Sequence, residues 1–159
     1  YGDLPLSQIP VDRIETSDWA GVDFTIESMY KSSAKREHSS QEYMMQYLVN
    51  KGATIVFNDD NSGESADIIA IFAKDNLIHF ELIHCKYSKQ DSGARLSDLY
   101  EVCGQAIVSL RYKWRPEELL KHLERRNGTG VLQGKRFYHG NPGDIDTIKN
   151  ALKYTDVSF

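Results

Sequence analysis

Cysteine is scarce: the 159 residues contain two, Cys85 and Cys103. That is too few for a disulfide framework, and neither sits in a C-x-x-C pair that would announce a zinc site. Long apolar runs are missing as well. None approaches the roughly 20 residues needed to cross a bilayer, and the first residues lack the basic-then-apolar order of a secretory signal. A reducing cytoplasm with no membrane partner is the expected setting. Net positive charge is also absent, since the chain carries −4, whereas DNA-binding surfaces are usually basic. The deficit is unevenly spread. Residues 95–136 hold nine Lys or Arg against five Asp or Glu, a local charge of +4 that leaves −8 for the remainder. Such a division suits an enzyme that holds phosphates with one part and metal ions with another. A solvated helical face explains the same charges equally well.

What is present suffices for one core. With 40% hydrophobic and 11% aromatic residues, a chain of this length is expected to form a single globular domain. Residues 1–22, with Pro5 and Pro10 among aperiodic polar residues, read as a lead-in segment, and 23–159 as the domain proper. The chain opens on Tyr1 and stops at Phe159 inside an apparent strand, so a domain excised from a longer protein is expected. Tyr43, Met44, Tyr47 and Leu48 share one face of a helix that starts at Ser39 or Ser40 and ends at Gly52. Three strands follow at 53–57, 66–73 and 77–86, joined by turns rich in Asp, Asn and Gly. Leu96, Leu99, Tyr100, Cys103, Ala106, Ile107 and Leu110 recur at helical steps, and Pro116 opens a further helix to about 126. A strand at 135–139, a helix at 144–153 and a final strand start complete an α/β layered order.

Polar groups with chemical potential fall at the ends of the second and third strands. Alternation puts Asp67 on the face of Ile69 and Ile71, and Lys86 on the face of His84, Leu82, Phe80 and Ile78. Charges at core-facing strand positions are costly unless paired or metal-bound. Glu81 falls on the opposite face with His79, away from Lys86. The basic segment supplies Arg111, Arg125 and Arg126 as expected contacts to a nucleic-acid backbone.

The pattern of Asp67 on one strand and His84-Cys85-Lys86 on the next, within helix, three strands and helix, resembles the PD-(D/E)xK or restriction-endonuclease-like nucleases. His84 stands where that family has an acid. The segments GESADIIAIF, LIHCKYS and GARLSDLYEVCGQA also resemble nuclease domains attached to DEAD/DEAH-type helicases of bacterial defence and restriction systems, over roughly residues 40–112. The resemblance implies a restriction-endonuclease-like core, a mixed β-sheet flanked by helices, that hydrolyses DNA phosphodiesters with Mg²⁺ or Mn²⁺. A helicase or ATPase domain in the same parent chain is the implied partner, and an oligomer is compatible with it. Asp67, His84 and the Cys85 carbonyl would bind metal, with Glu64 and Asp60 as outer ligands. Lys86 would neutralise developing charge and orient water. Glu42 would be the acidic helix residue, and Lys89 and Arg95 would touch phosphates. Because an imidazole replaces the acid, Mn²⁺ is expected to serve better than Mg²⁺.

Each residue also has a structural explanation. Asp67 and Lys86 can form a buried ion pair, and His84 can be a hydrogen-bonded core histidine. Glu42 completes S-x-x-E from Ser39, a capping box. Asp59, Asp60 and Asn61 are turn formers. Gln105 points about opposite the apolar stripe centred on Cys103, which ranks it low as a site residue. Two rival functions remain at this level: a catalytically inactive nucleic-acid-binding module of a helicase, and a Cys/His hydrolase built on Cys85, which alternation turns away from His84.

Overall fold

The computed structural model describes residues 18–86 and 96–159. Its element order is β1 (Tyr30–Lys31), β2 (Ala34–Lys35), α1 (Ser40–Asn50), β3 (Ile55–Asn58), β4 (Ile68–Lys74), β5 (Leu77–Ile83), α2 (Leu96–Ser109), a 3-10 helix (Leu110–Trp114), α3 (Pro116–Asn127), β6 (Phe137–His139), α4 (Pro142–Ala151) and β7 (Asp156–Ser158). The five longer-range strands form one mixed sheet in the order β6-β3-β4-β5-β7, antiparallel except for the parallel β5–β7 pair. The small β1–β2 hairpin falls where the sequence gives no clear strand period.

Side-chain alternation along the sheet makes two cores. Ile55, Phe57, Ile69, Ile71, Ile78 and Phe80 pack against Tyr112 of the 3-10 helix, Leu119, Leu120 and Leu123 of α3, and Ile145 and Ile148 of α4. Val56, Ile68 and Ala70 face the other way and meet Met45 and Leu48 of α1 together with Met29. Helices therefore cover both faces, as a fully buried β3 and the buried first four residues of β4 require. The α/β expectation holds in this form: a five-stranded mixed sheet flanked by helices.

Caps fix the helix starts. The Ser39 hydroxyl accepts the Glu42 N–H at 3.1 Å, and Asn141 with Asp144 forms a reciprocal capping box at α4. Residues 18–22 of the expected lead-in begin the described structure, and Trp19 packs at a tilt against Tyr43 of α1, 4.4 Å between ring centroids. Among the described residues, no helix is long and apolar enough to cross a membrane.

The apolar stripe of the helix at 96–109 does not face the core: Leu96, Tyr100, Ile107 and Leu110 are exposed, while Gln105 is half-buried and Ser109 buried. The sheet beneath is already covered by α3, α4 and Tyr112 of the 3-10 helix, and the narrow side of α2 bearing Val102, Gln105 and Ser109 turns inward.

Candidate active site

The third strand ends at Ile83, so His84, Cys85 and Lys86 continue from β5 as free chain rather than ladder. In the β4–β5 register Ile69 faces Leu82 and Ile68 faces Ile83. One step further, Asp67 comes opposite His84 on the α3 side of the sheet. The Cys85 N–H donates to Asp67 Oδ2 at 2.7 Å and fixes the carboxylate there. Asp67 is 4% exposed, and burial together with the charges of Glu64, Asp60 and Glu27 raises its pKa to about 7, against the lowering effect of the Cys85 N–H.

His84 has a definite tautomer. Ser109 Oγ lies 2.8 Å from His84 Nε2 and donates its single proton to a carbonyl, that of Ser65, with the Gln105 carbonyl also in reach. The hydroxyl therefore accepts from Nε2–H, leaving a lone pair on Nδ1. That Nδ1 is buried, has no hydrogen-bond partner, and points toward Asp67 Oδ2 at 3.6 Å, too far for a hydrogen bond. Desolvation lowers the His84 pKa and keeps the ring neutral.

The loop between β3 and β4 brings in two more carboxylates. Single oxygens of Asp60, Glu64 and Asp67 lie within 4.8 Å of one another. Glu64 is held by the Asn61 N–H at 2.9 Å, and burial raises its pKa, with Asp60 adding to the effect. Asn61 adopts φ 99° and Gly63 φ 86°, left-handed conformations that fold the loop tightly.

Asp59 anchors that loop. Its side chain is fully buried and accepts Ser65 N–H, His122 Nε2–H and Arg126 Nε–H, each at 2.7 Å. Arg125 donates to His122 Nδ1 at 2.9 Å, so the His122 proton sits on Nε2, facing Asp59. The turn-former reading of Asp59 is thus incomplete: it is a buried hub.

Several expected residues take other places. Arg126, expected on phosphate, turns its guanidinium inward to Asp59 and to the carbonyls of Asp59, Asp60, Asn61 and Ser62. The reason is that the tight loop turns these carbonyls toward α3, where one planar guanidinium reaches all four. Glu42 lies outside the acidic group around Asp67. It binds the His38 N–H at 2.9 Å and Lys35 Nζ at 2.5 Å, so it closes the start of α1. Lys86 pairs with Glu101 of α2 at 2.5 Å. Glu81 pairs with Lys51 at 2.9 Å on the far side. Cys85 packs toward the α1 core, and burial pushes its thiol far above its ordinary pKa, which removes the thiolate a Cys/His hydrolase needs. Arg111 stacks on Tyr112 and remains exposed, as does Arg125. Lys89 and Arg95 lie outside the described residues.

Ser109, Gln105, Glu101 and Glu27 were not among the expected site residues. Ser109 and Gln105 lie on the polar side of the helix, and spacing alone does not show that this side meets His84. The chain matches no family model, no characterised protein and no solved structure.

Proposed function

We propose that the protein is a divalent-metal-dependent nuclease that hydrolyses DNA phosphodiesters, built on a restriction-endonuclease-like core and serving a helicase-linked defence or restriction system. One observation carries the reading: a buried imidazole nitrogen without a partner is aimed at a buried carboxylate, with two further carboxylates converging on the same point. An unpaired buried acceptor is costly, and the Asp67 oxygen beside it at 3.6 Å is too far to share a proton with it. A divalent cation fits this donor set of one nitrogen and several oxygens.

Asp67 and His84 Nδ1 would hold the ion, with Asp60, Glu64 and the Cys85 carbonyl completing its surroundings. When bound, the cation would neutralise phosphate charge and acidify a water. Ser109 fixes the His84 tautomer, as an outer hydrogen bond does for metal-binding histidines. The Cys85 N–H orients Asp67. Lys86 donates its Nζ protons to the scissile phosphate's oxygens once substrate draws it from Glu101. Exposed Arg111, Lys121 and Arg125 hold the flanking backbone.

Cleavage of supercoiled and linear DNA with Mg²⁺, Mn²⁺ or chelator tests this. Metal-dependent nicking that Asp67→Ala abolishes is expected. A folded protein that binds DNA and metal but never cleaves it would favour the inactive clamp instead.

A further inference from the structure

Helix α3 carries a second concave site, whose wall includes none of the residues grouped around Asp67. A cavity of about 280 Å³ opens there, lined by Tyr112, Glu118, Lys121, His122 and Arg125. Lys121 and Arg125 stand one helical turn apart on α3, so their side chains share one face. His122 and Tyr112 are 4 and 6% exposed, lie with ring centroids 6.0 Å apart, and form the inner wall.

This cavity holds more donors than the protein uses. Lys121 makes no hydrogen bond or ion pair among the described residues. Arg125 gives one N–H, from Nη2, to His122 Nδ1 at 2.9 Å, which holds the guanidinium against the inner wall. The Tyr112 hydroxyl accepts from Arg111 Nη2 at 2.9 Å and gives its own proton to no group among the described residues. Charge is unbalanced in the same sense. Glu118 is the acid of the wall, and Arg115 meets its carboxylate at 3.4 Å. Asp59, behind His122, is held by Arg126. Lys121, Arg125 and the neighbouring Arg111 have no carboxylate partner among the described residues.

We propose that the cavity binds a phosphate monoester dianion, free or at the end of a larger molecule. The donors decide the chemistry. A guanidinium, an ammonium and a hydroxyl match the separate terminal oxygens of a monoester. A carboxylate has its two oxygens in one plane, and the guanidinium alone would satisfy it. A phosphodiester within a strand carries less charge and has fewer free oxygens, so it leaves part of the donor set unmet. His122 is a positioning residue: its Nε2–H is tied to Asp59 and its Nδ1 holds Arg125, so the guanidinium is in place before the anion arrives. Binding of the free anion needs neither metal nor the nuclease reading, which adds one further source, a phosphorylated DNA end.

Amide NMR titration of the intact chain with inorganic phosphate and with a nucleoside monophosphate tests it, at constant ionic strength and with chelator present so that no metal at Asp67 recruits the anion. Saturable shifts are expected at Tyr112, Lys121, His122 and Arg125. Lys121→Gln, at an exposed position, should weaken binding about 10-fold or more with an unchanged melting curve, and Tyr112→Phe, which keeps the ring, should weaken it several-fold. Dimethyl phosphate, a diester, should bind about 10-fold more weakly than the monoester. Short duplexes with and without a terminal phosphate identify the source. A preference for the phosphorylated end that Lys121→Gln removes assigns DNA ends, and equal affinity for both duplexes, with phosphate still bound, assigns the free anion. Absence of saturable phosphate binding overturns the proposal. So does an affinity indifferent to both Lys121→Gln and Arg125→Gln, or dimethyl phosphate binding as tightly as the monoester.

Discussion

Arg126 Nε lies 2.7 Å from Asp59 Oδ1, and the same guanidinium caps four carbonyls of the loop that follows Asp59. One side chain of α3 thereby holds the segment that carries Asp60 and Glu64. Asp59 is fully buried, so removing the cation leaves a carboxylate hydrogen-bonded to His122 and Ser65, with Arg136 as a nearby cation that does not contact it directly. Arg126→Ala is expected to cost about 3–5 kcal/mol in chemical denaturation. Arg126→Lys keeps the charge but loses the planar fork, and should cost on the order of 2 kcal/mol. Arg126→Ala within about 1 kcal/mol of wild type would show that the clamp contributes only an ordinary surface pairing.

The buried Asp67 makes the metal-free protein pH dependent. Its pKa is raised from 3.8 to about 7 in the fold, mainly by desolvation, so between these values the folded state holds a proton that the unfolded state has lost. The stabilisation is full below the unfolded value and is lost as pH rises through about 7. Asp67→Asn keeps an acceptor for the Cys85 N–H and removes the charge. At pH 8 without metal it should be more stable than wild type by on the order of 2 kcal/mol, and the difference should vanish near pH 4. Equal stabilities at pH 8 would mean that water or an ion already relieves this carboxylate.

Much of this arrangement is legible in the sequence. The β-branched runs and the Asp-Asn turn mark β3, β4 and β5, and strand parity alone sets Asp67 and His84 on one face. The capping role of Glu42 is equally local, because S-x-x-E describes it. Other features need the tertiary fold. Arg126 and Asp59 lie too far apart in the chain for any spacing rule to join them. The direction of α2 is hidden because periodicity shows that a helix has an apolar face, and not whether that face finds a core or another molecule. The partnership of Ser109 with His84 depends on that direction and has no spacing of its own in the sequence.

Exposed cations on α3 should carry the DNA contact, in place of the inward Arg126. Lys121 and Arg125 line a cavity of about 280 Å³ with Tyr112, Glu118 and His122. Each phosphate contact releases condensed counterions, so binding should fall steeply with salt. Lys121→Glu is expected to weaken DNA binding several-fold and to lower the slope of log affinity against log salt by about 1. The check is fluorescence anisotropy with a labelled duplex between about 50 and 200 mM salt. An unchanged affinity and slope would place the DNA on another face.

The hydroxyl of Ser109 offers the sharpest handle on the metal, because it acts on His84 without touching the ion. It accepts from Nε2–H and so keeps the lone pair on Nδ1, beside Asp67. In Ser109→Ala the ring loses that restraint and can place its proton on Nδ1, where Asp67 would accept it. Metal affinity should then drop about 10-fold or more, as expected for losing an outer hydrogen bond to a metal-binding histidine. Ser109→Thr should restore most of it. His84→Asp should act differently. With a nitrogen ligand the wild type is expected to prefer Mn²⁺ over Mg²⁺, and an all-oxygen site should move the preference back toward Mg²⁺. Calorimetric titration of each variant with Mn²⁺ and with Mg²⁺ separates the two effects: Ser109→Ala should weaken binding without reversing the order of metals, whereas His84→Asp should change the order. If wild-type protein binds Mn²⁺ and Ser109→Ala and His84→Ala bind it equally well, His84 is a core histidine and the ion is held by Asp60, Glu64 and Asp67 alone.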